Sequence, residues 1–122
     1  MPDFDAATVA VFAAADEIDV ETAGTGGEVH RTTIWIVTEG RDVFVRSVRG
    51  AGARWYREAV ARPDMAVLAG GARVEARALA AADAESVRRA SEGYRAKYAS
   101  SEHMASMVRE EVLPTTLRLE PR

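Results

Sequence analysis

The sequence contains no cysteine, which excludes disulfide bonds, thiolate catalysis and metal sites built on thiolates. Lysine is almost absent as well, because Lys97 is the single lysine and arginine supplies every other basic residue. This bias, together with abundant alanine, is typical of a GC-rich coding sequence, so arginine in place of lysine carries little meaning at any one position. Histidine occurs only at His30 and His103, with no carboxylate at ligand spacing near either. That pattern argues against a metal site.

Long apolar segments are also missing. No run approaches the roughly 20 residues that a membrane-spanning helix needs. The N-terminal segment contains Asp3 and Asp5 and lacks the apolar stretch of a signal peptide. We therefore expect a cytoplasmic protein. The formal net charge of -3 argues against general nucleic-acid binding, which requires a broad basic face.

The chain is long enough to form one domain with a substantial core. It has 122 residues, of which 48% are hydrophobic and 29% are charged, as in an ordinary folded protein. Nothing in it repeats, and no linker divides it. We expect residues 1–122 to fold as a single domain.

Alternation of apolar and polar residues, or clusters of β-branched and aromatic residues, predicts strands. The strongest signal covers residues 31–37, which are largely apolar on both faces and are therefore expected to form a central strand. Gly70 and Gly71 separate two further runs as a two-residue hairpin turn. The predicted strands are residues 18–22, 31–37, 43–48, 65–69, 73–79 and 115–120.

Helices are predicted from apolar residues at helical spacing and from capping signals. Asp3 or Asp5 can cap the first helix, and Asp83 can cap the third. Pro63 ends the second helix, because the residue before a proline is pushed out of helical geometry. The predicted helices are residues 5–15, 53–61, 83–99 and 104–112. Six strands in hairpin pairs, with helices at the periphery, predict an α+β fold built on an antiparallel barrel.

A strand, a glycine-rich turn and a helix in residues 43–57 form the most informative stretch. It contains four arginines and no acidic residue. Glycines allow a ligand to approach the backbone closely, and the start of a helix offers free N–H groups to an anion. Arginines add charge-assisted hydrogen bonds to phosphate or carboxylate. We therefore predict an anion-binding site. Its candidate residues are Arg46, Arg49, Gly50, Gly52 and Arg54.

Other interpretations of these residues remain open. The stretch also fits a solvated turn whose arginines balance the acidic remainder of the chain, and its spacing is neither that of a P-loop nor that of a Rossmann motif. Trp35, Trp55 and Tyr56 either stack on a flat ring system or form ordinary core. Neither Ser47 nor the acidic pair at residues 110–111 lies in a catalytic motif. No acid–base constellation can be assigned from the sequence.

Several segments together carry a resemblance to known proteins. They are residues 31–37, 45–50, 54–57, 69–71, 94–98 and 115–122. Over nearly its whole length the chain resembles a family of small uncharacterised bacterial domains. More distantly, mainly over residues 30–80, it is similar to deazaflavin-dependent nitroreductase-like proteins and to the wider pyridoxamine-phosphate-oxidase-like split barrels.

This resemblance implies a six-stranded antiparallel split β-barrel, a homodimer, and a flavin-type cofactor, either FMN or a deazaflavin coenzyme, near the subunit interface. Arg31 matches an arginine that precedes the central strand in the deazaflavin-binding relatives. Residues 47–56 approximate their Ser-x-Gly-Gly loop, which would hold the cofactor phosphates, and the Trp-Tyr pair after it. The implied cofactor-binding residues are Arg31, Thr32, Thr33, Trp35, Arg46, Ser47, Arg49, Gly50, Gly52, Arg54 and Trp55.

The chain also departs from these relatives. Residues 23–27 contain no basic residue where the relatives have a lysine-containing loop, Ala53 and Arg54 stand where a proline is expected, and Glu58 replaces an asparagine. Three functions compete. The first is a flavin- or deazaflavin-binding oxidoreductase that passes hydride to a small molecule. The second is a cofactor-free module for a small anion or metabolite, and the third is a purely structural dimeric partner.

Overall fold

The computed structural model describes residues 2–122. Within this range the helices are α1 (Ala6–Ala14), α2 (Arg54–Ala61), α3 (Ala84–Lys97) and α4 (Met104–Val108), and 3₁₀ segments cover Gly50–Gly52 and Glu110–Thr115. The strands are β1 (Ile18–Ala23), β2 (Val29–Ile34), β3 (Val37–Glu39), β4 (Asp42–Val45), β5 (Asp64–Ala69), β6 (Ala72–Ala80) and β7 (Leu117–Pro121). The predicted α+β class is confirmed.

Two helices begin where the capping signals predicted. The Asp5 carboxylate accepts a hydrogen bond from the Thr8 backbone N–H at 2.8 Å, and Asp83 accepts one from Ser86 N–H at 3.0 Å. Each bond satisfies one of the N–H groups that the first turn of a helix leaves without a partner. The prediction of both N-caps is confirmed.

The strands form one antiparallel sheet in the order β2-β1-β5-β6-β7-β4-β3. Its two outer strands, β2 and β3, follow one another in the chain and are separated only by Trp35 and Ile36. Because two residues span only a few ångströms, the two ends of the sheet lie close together there. The sheet is therefore curled into a half-barrel.

The expected count of six strands is wrong by one, and the expected central position of residues 31–37 is also wrong. The described part of the chain contains seven strands, because this run is interrupted at Trp35 and Ile36 and contributes to both edges of the sheet. The apolar residues of this run are therefore not explained by a position in the middle of the sheet. Ile36 and Val37 are buried where the segment crosses from one edge to the other, whereas β2 alternates between exposed and half-buried residues.

The predicted two-residue hairpin turn is confirmed. Gly70 and Gly71 connect β5 to β6, and the two strands pair from Ala69 and Ala72 outwards. The strand predicted at residues 43–48 is shorter than expected, since β4 ends at Val45. Strand β7 lies between β6 and β4, and its Leu117 and Leu119 are buried.

The buried apolar residues form two clusters. One fills the inside of the half-barrel and includes Phe12 of α1 and Trp55 of α2. The other lies under α3 and includes Phe44, Tyr94 and Tyr98. Helix α2 therefore covers the sheet on one side, and α3 covers the seam between β2 and β3 on another. No helix within residues 2–122 has the length and apolar character needed to cross a membrane.

Candidate functional site

A cavity of about 990 Å³ lies beside the end of β2, between the turn that follows β4, the start of α2 and the short helix α4. It is lined by Glu17, Thr32, Thr33, Ile34, Trp35, Arg46, Ser47, Val48, Arg49, Gly52, Ala53, Arg54, Trp55, Arg57, His103, Ser106 and Met107. This volume is at the upper end of the range typical of ligand pockets.

Ser47 builds the turn that forms one wall of this cavity. Its hydroxyl donates to the Gly50 carbonyl oxygen at 2.7 Å, while the Gly50 N–H donates to the Ser47 carbonyl at 3.0 Å. The Ser47 N–H donates to Thr115 Oγ1 at 3.0 Å, which ties the turn to the segment before β7. Gly50 has a φ of +81°, a conformation that non-glycine side chains rarely adopt.

Three arginines line the cavity: Arg49 lies in this turn, and Arg54 and Arg57 lie on α2. All three are exposed, and none forms an ion pair within residues 2–122. Glu17 is the one carboxylate among the residues that line the cavity. The arginine wall, by which we mean Arg49, Arg54 and Arg57, therefore carries positive charge that the cavity itself does not neutralise.

Arg46 lines the cavity from inside the protein. It is 1% exposed, and its guanidinium donates to Thr116 Oγ1, Ser91 Oγ, the Met107 carbonyl and the Val87 carbonyl at 2.8–2.9 Å. All four acceptors are neutral. Burial lowers the pKa of Arg46, and the Tyr94 ring lies 5.5 Å from its Cζ atom. Its donors thus hold α3, α4 and the start of β7 together.

A buried hydroxyl lies close to this guanidinium. Tyr94 is fully buried, and its hydroxyl has no hydrogen-bond partner among the described residues. Burial also raises the pKa of Tyr94, so the ring stays neutral beside the Arg46 charge. Among the described residues, the four acceptors of Arg46 are neutral, so none of them balances its positive charge.

Two tryptophans belong to the apolar part of the cavity wall. Trp35 stacks on Tyr98, with ring centroids 3.8 Å apart and an interplanar angle of 5°. One face of the Trp35 ring is thus covered by protein. Trp55 is 5% exposed and contacts Tyr56 edge-on at 6.2 Å. Trp55 belongs to the core of the half-barrel as well as to the cavity wall.

The structure brings together every predicted site residue except Arg31 and Gly50. Arg31 is exposed and donates to Glu21 at 2.7 Å on the neighbouring strand β1. Gly50 lies in the turn behind the wall, where its carbonyl accepts the Ser47 hydroxyl. The other predicted residues line the cavity: Thr32, Thr33, Trp35, Arg46, Ser47, Arg49, Gly52, Arg54 and Trp55.

Sequence reasoning missed the part of the cavity that α4 supplies. His103, Ser106 and Met107 line it although they lie about 50 residues after the turn in the sequence. Nothing in their local pattern indicates this position. Arg57 also lines the cavity and was not included in the predicted site. For this residue a sequence signal existed, because Arg57 belongs to the same arginine cluster as Arg49 and Arg54.

Glu58 lies on the same face of α2 as Arg54, but its carboxylate bonds to the β1–β2 hairpin and forms no ion pair with the arginine wall among the described residues. Its carboxylate accepts a hydrogen bond from Thr22 Oγ1 at 2.8 Å and lies 2.9 Å from His30 Nδ1. The side chain is 12% exposed and lies outside the cavity lining. The acidic residue that stood next to the predicted anion site in the sequence is thus directed towards β1 and β2.

The arrangement offers positive charge and aromatic surface to a ligand. It combines an arginine wall, a stacked tryptophan and the end of β2. No three His, Asp or Glu side chains in the described range are grouped closely enough to hold a metal ion. Such a site can hold a flat ligand with an anionic group.

Comparisons with known proteins agree with the fold. The bacterial protein family described as "uncharacterized protein conserved in bacteria (DUF2255)" matches residues 8–119. None of the curated proteins is similar to the chain in sequence.

Solved structures share the architecture at low sequence identity. The conserved hypothetical protein Rv2991 from Mycobacterium tuberculosis is 14% identical, with a TM-score of 0.71 over 97% of this chain and 79% of that one. A candidate pyridoxamine 5'-phosphate oxidase from Listeria innocua is 12% identical, with a TM-score of 0.63 over 93% and 87%. HutZ, the heme storage protein from Vibrio cholerae, is 13% identical, with a TM-score of 0.67 over 96% and 89%.

These likenesses show that the chain has a fold like that of the pyridoxamine-phosphate-oxidase-like split barrels. At such low identity they show the fold alone. The resemblance to deazaflavin-dependent nitroreductase-like proteins stays a prediction.

Proposed function

The chain belongs to the DUF2255 family of bacterial proteins, and from this premise and the cavity we propose that it binds a flavin-type cofactor, FMN or a deazaflavin coenzyme, and passes hydride to a small molecule. The observation that carries the proposal is the arginine wall, which forms no ion pair within the described residues, next to a cavity of about 990 Å³. Exposed charge of one sign around a concave site favours a ligand of the opposite sign.

The residues around the cavity fit such a cofactor. A Cβ atom built at Gly52 would meet no heavy atom within 4 Å, so the backbone there has open space beside it. Arg49 and Arg54 would donate to the phosphate in this space. Trp35 has one ring face covered by Tyr98, which leaves its other face for a flat ring.

The remaining predicted residues would have supporting roles. Thr32 and Thr33 belong to an edge strand, so the polar backbone groups on its outer side are available to the edge of a ring system. Arg46 would act through its charge and through the α4 contacts that it makes. When bound, the cofactor supplies the hydride chemistry, which is why the chain needs no acid–base pair of its own.

A cofactor-free module for a small anion is the second candidate. The loop at residues 23–27 has no basic residue to add to the arginine wall. This observation favours a ligand smaller than a dinucleotide-like coenzyme, held by arginines alone. A phosphate or carboxylate would then occupy the same wall without a ring against Trp35.

The test is a titration of the purified protein with FMN, a deazaflavin coenzyme, inorganic phosphate and haem, followed by tryptophan fluorescence and thermal stability. Haem is included because HutZ shares the fold and His103 lines the cavity. We expect FMN or the deazaflavin to raise the melting temperature. Binding of haem that is lost in His103→Ala would contradict the flavin proposal, and a shift with phosphate alone would support the cofactor-free module.

The arginine wall is tested with a double variant. Arg49→Ala with Arg54→Ala should weaken cofactor binding by about 1.5–3 kcal/mol for each charged hydrogen bond lost. Arg41→Ala with Arg88→Ala is the matched control, because it removes the same charge from residues outside the cavity lining. Equal affinities of the two double variants would place the ligand elsewhere.

We also propose that the protein forms a homodimer and is located in the cytoplasm. Among residues 2–122, the exposed large apolar side chains are Val29, Val48 and Val60, which lie in β2, in the turn after β4 and in α2. All three elements surround the cavity, so a second copy of the chain is the partner that we propose for this side of the molecule. A cytoplasmic location belongs to the same proposal, and fractionation of the source cells would test it.

A further inference from the structure

We propose that Glu58 is a positioning residue, which holds α2 against the β1–β2 hairpin and thereby sets where Arg54 and Arg57 lie along the cavity. We call Thr22, His30 and Glu58 the Glu58 anchor. The link to ligand binding rests on the function proposed above, whereas the anchoring of α2 does not.

Helix α2 has few local interactions that fix its position. It is eight residues long, and its N-cap is Ala53, whose side chain forms no capping hydrogen bond. Its first turn has no acidic residue and its last turn has no basic one, so no side chain there complements the helix dipole. A helix this short is marginal in isolation. Its position therefore depends on contacts with the rest of the protein.

Apolar contacts alone do not set this position precisely. Trp55 and Ala59 are buried against the half-barrel. Hydrophobic burial is not directional, so it resists the removal of α2 more strongly than a small slide or rotation along the sheet. A hydrogen bond has a narrow range of distance and angle and restricts exactly such movements.

The Glu58 anchor supplies directional contacts. Thr22 and His30 lie directly opposite one another in the β1–β2 ladder. Thr22 Oγ1 donates to Glu58 Oε1 at 2.8 Å, and His30 Nδ1 lies 3.1 Å from Oε1 and 2.9 Å from Oε2. One carboxylate thus bridges a cross-strand pair. Both strands must keep their register for α2 to be held in this way.

The anchor is coupled to the arginine wall through the helix itself. Glu58 follows Arg54 by four residues, so both side chains lie on the same face of α2. Burial acts to raise the pKa of Glu58, but hydrogen bonds from Thr22 and His30, with the charges of His30 and Arg54, outweigh it and lower the pKa. Glu58 therefore stays ionised and able to accept both bonds at neutral pH. A displacement of Glu58 would move Arg54 by a similar amount.

The anchor is tested first without any ligand. In a Trp35→Phe background, Trp55 is the only tryptophan and reports on α2. We expect Glu58→Ala to shift the Trp55 emission to longer wavelength and to speed amide exchange in α2 by roughly tenfold, about 1.4 kcal/mol of local stability. Glu58→Gln should rescue most of both effects, since its amide oxygen still accepts from Thr22. Glu92→Ala, an exposed acid on α3, is the matched control.

The Thr22→Val variant provides a second test of the Glu58 anchor. If Glu58→Ala does not fold, Thr22→Val removes one hydrogen bond and leaves the carboxylate with its His30 contact, and a smaller change in α2 exchange is expected. Unchanged Trp55 emission and exchange in either folded variant would overturn the anchor. Glu58→Gln behaving like Glu58→Ala would also overturn it, because hydrogen bonding would then not be the cause.

The ligand experiment separates this inference from the proposed function. With Trp35 retained, we expect Glu58→Ala to weaken FMN binding about fivefold or more and Glu92→Ala to leave it unchanged. If the wild-type protein binds neither flavin, the proposed function fails while the exchange data still decide the anchor. If α2 loosens and FMN affinity stays the same, the link between the anchor and the arginine wall is wrong.

Discussion

At the scale of single residues, Arg46 shows why a buried arginine is not automatically a ligand residue. Its planar guanidinium reaches four neutral acceptors that belong to α3, to α4 and to the residue before β7. A lysine has three donors at one point and could not reach all of them. Arg46 therefore stabilises one wall of the cavity, and the exposed arginines of the arginine wall remain available to a ligand.

Gly50 and Gly52 have different structural requirements, although the sequence places them in one turn. Gly50 has a φ of +81°, whereas Gly52 does not need a positive φ. We predict that Gly50→Ala lowers the free energy of unfolding by about 1–2 kcal/mol, the cost of a left-handed backbone for alanine. Gly52→Ala should leave stability unchanged or raise it by about 0.4–1 kcal/mol. Urea denaturation of both variants measures the difference.

The same pair also tests the cavity. An alanine at Gly52 places a methyl group in the open space that the proposed phosphate would occupy. Gly52→Ala should therefore weaken FMN binding in a fully stable protein, whereas Gly50→Ala should affect mainly stability. The reverse assignment of the two effects would show that the ligand approaches the turn from the Gly50 side.

At the scale of elements, the end of α3 stabilises the two-residue segment that connects β2 to β3. Lys97 Nζ donates to the Phe12 carbonyl at 3.0 Å and to the Ile36 carbonyl at 2.7 Å. The Tyr98 hydroxyl donates to the Asp16 carbonyl at 2.8 Å, and its ring supports Trp35. One helix terminus thus joins α1, the seam of the half-barrel and the cavity wall.

This arrangement predicts a pH dependence of stability. Burial lowers the pKa of Lys97 to about 8, from 10.5 for an exposed lysine. Between these values the unfolded chain binds more protons at this site than the folded chain, so the free energy of unfolding rises with pH. A neutral amine keeps two N–H donors, enough for both carbonyls. Between pH 7.5 and 10, we expect the free energy of unfolding of wild type to rise relative to that of Lys97→Met by on the order of 1 kcal/mol. This value includes a discount because Lys97 is only half-buried.

The comparison with Lys97→Met isolates this effect from other titrations. Burial raises the pKa of Tyr98 to about 12, and this contribution is common to both proteins. Urea denaturation at several pH values from 7 to 10 provides the measurement. A difference between wild type and variant that stays flat or falls with rising pH would show that Lys97 remains charged in the folded state.

Two helix caps, one hairpin turn and the cationic turn were predictable because their signals are local. The caps at Asp5 and Asp83 and the turn at Gly70 depend on neighbours within a few residues. Residues 46–54 formed a recognisable cluster for the same reason. The contact between Glu58 and His30 was not predictable, because 28 residues separate them and only the pairing of β1 with β2 and the docking of α2 brings them together.

At the scale of the whole molecule, one segment closes the half-barrel. Strands β2 and β3 are the two edges of the sheet and are joined by Trp35 and Ile36. The sequence pattern of residues 31–37 predicts one buried strand, and local propensity cannot distinguish this from a segment that changes its strand partner. The same bend directs Trp35 and the end of β2 towards the cavity. The segment that closes the half-barrel therefore also places Trp35 and the end of β2 in the cavity wall.

The outer side of β2 also bears on the assembly. A sheet edge with unpaired backbone groups is a natural place for another chain to bind. Val29 and Val60 are 64% and 54% exposed, and they lie in β2 and in α2. We predict that wild type sediments at twice the chain mass of 13.2 kDa. Val60→Asp should sediment as a monomer, because the exposed valine contributes little to folding and much to an apolar interface.

The control for this prediction is Ala84→Asp, which adds the same charge to an exposed position in the first turn of α3. It should remain a dimer, and circular dichroism should show the same fold for all three proteins. A wild-type protein at monomer mass at every concentration would contradict the prediction. If Val60→Asp is monomeric and also loses FMN binding, the second copy completes the cavity, since Val60 itself is not part of the cavity lining. If the monomer binds FMN with unchanged affinity, each chain forms its own site and the arginine wall is sufficient.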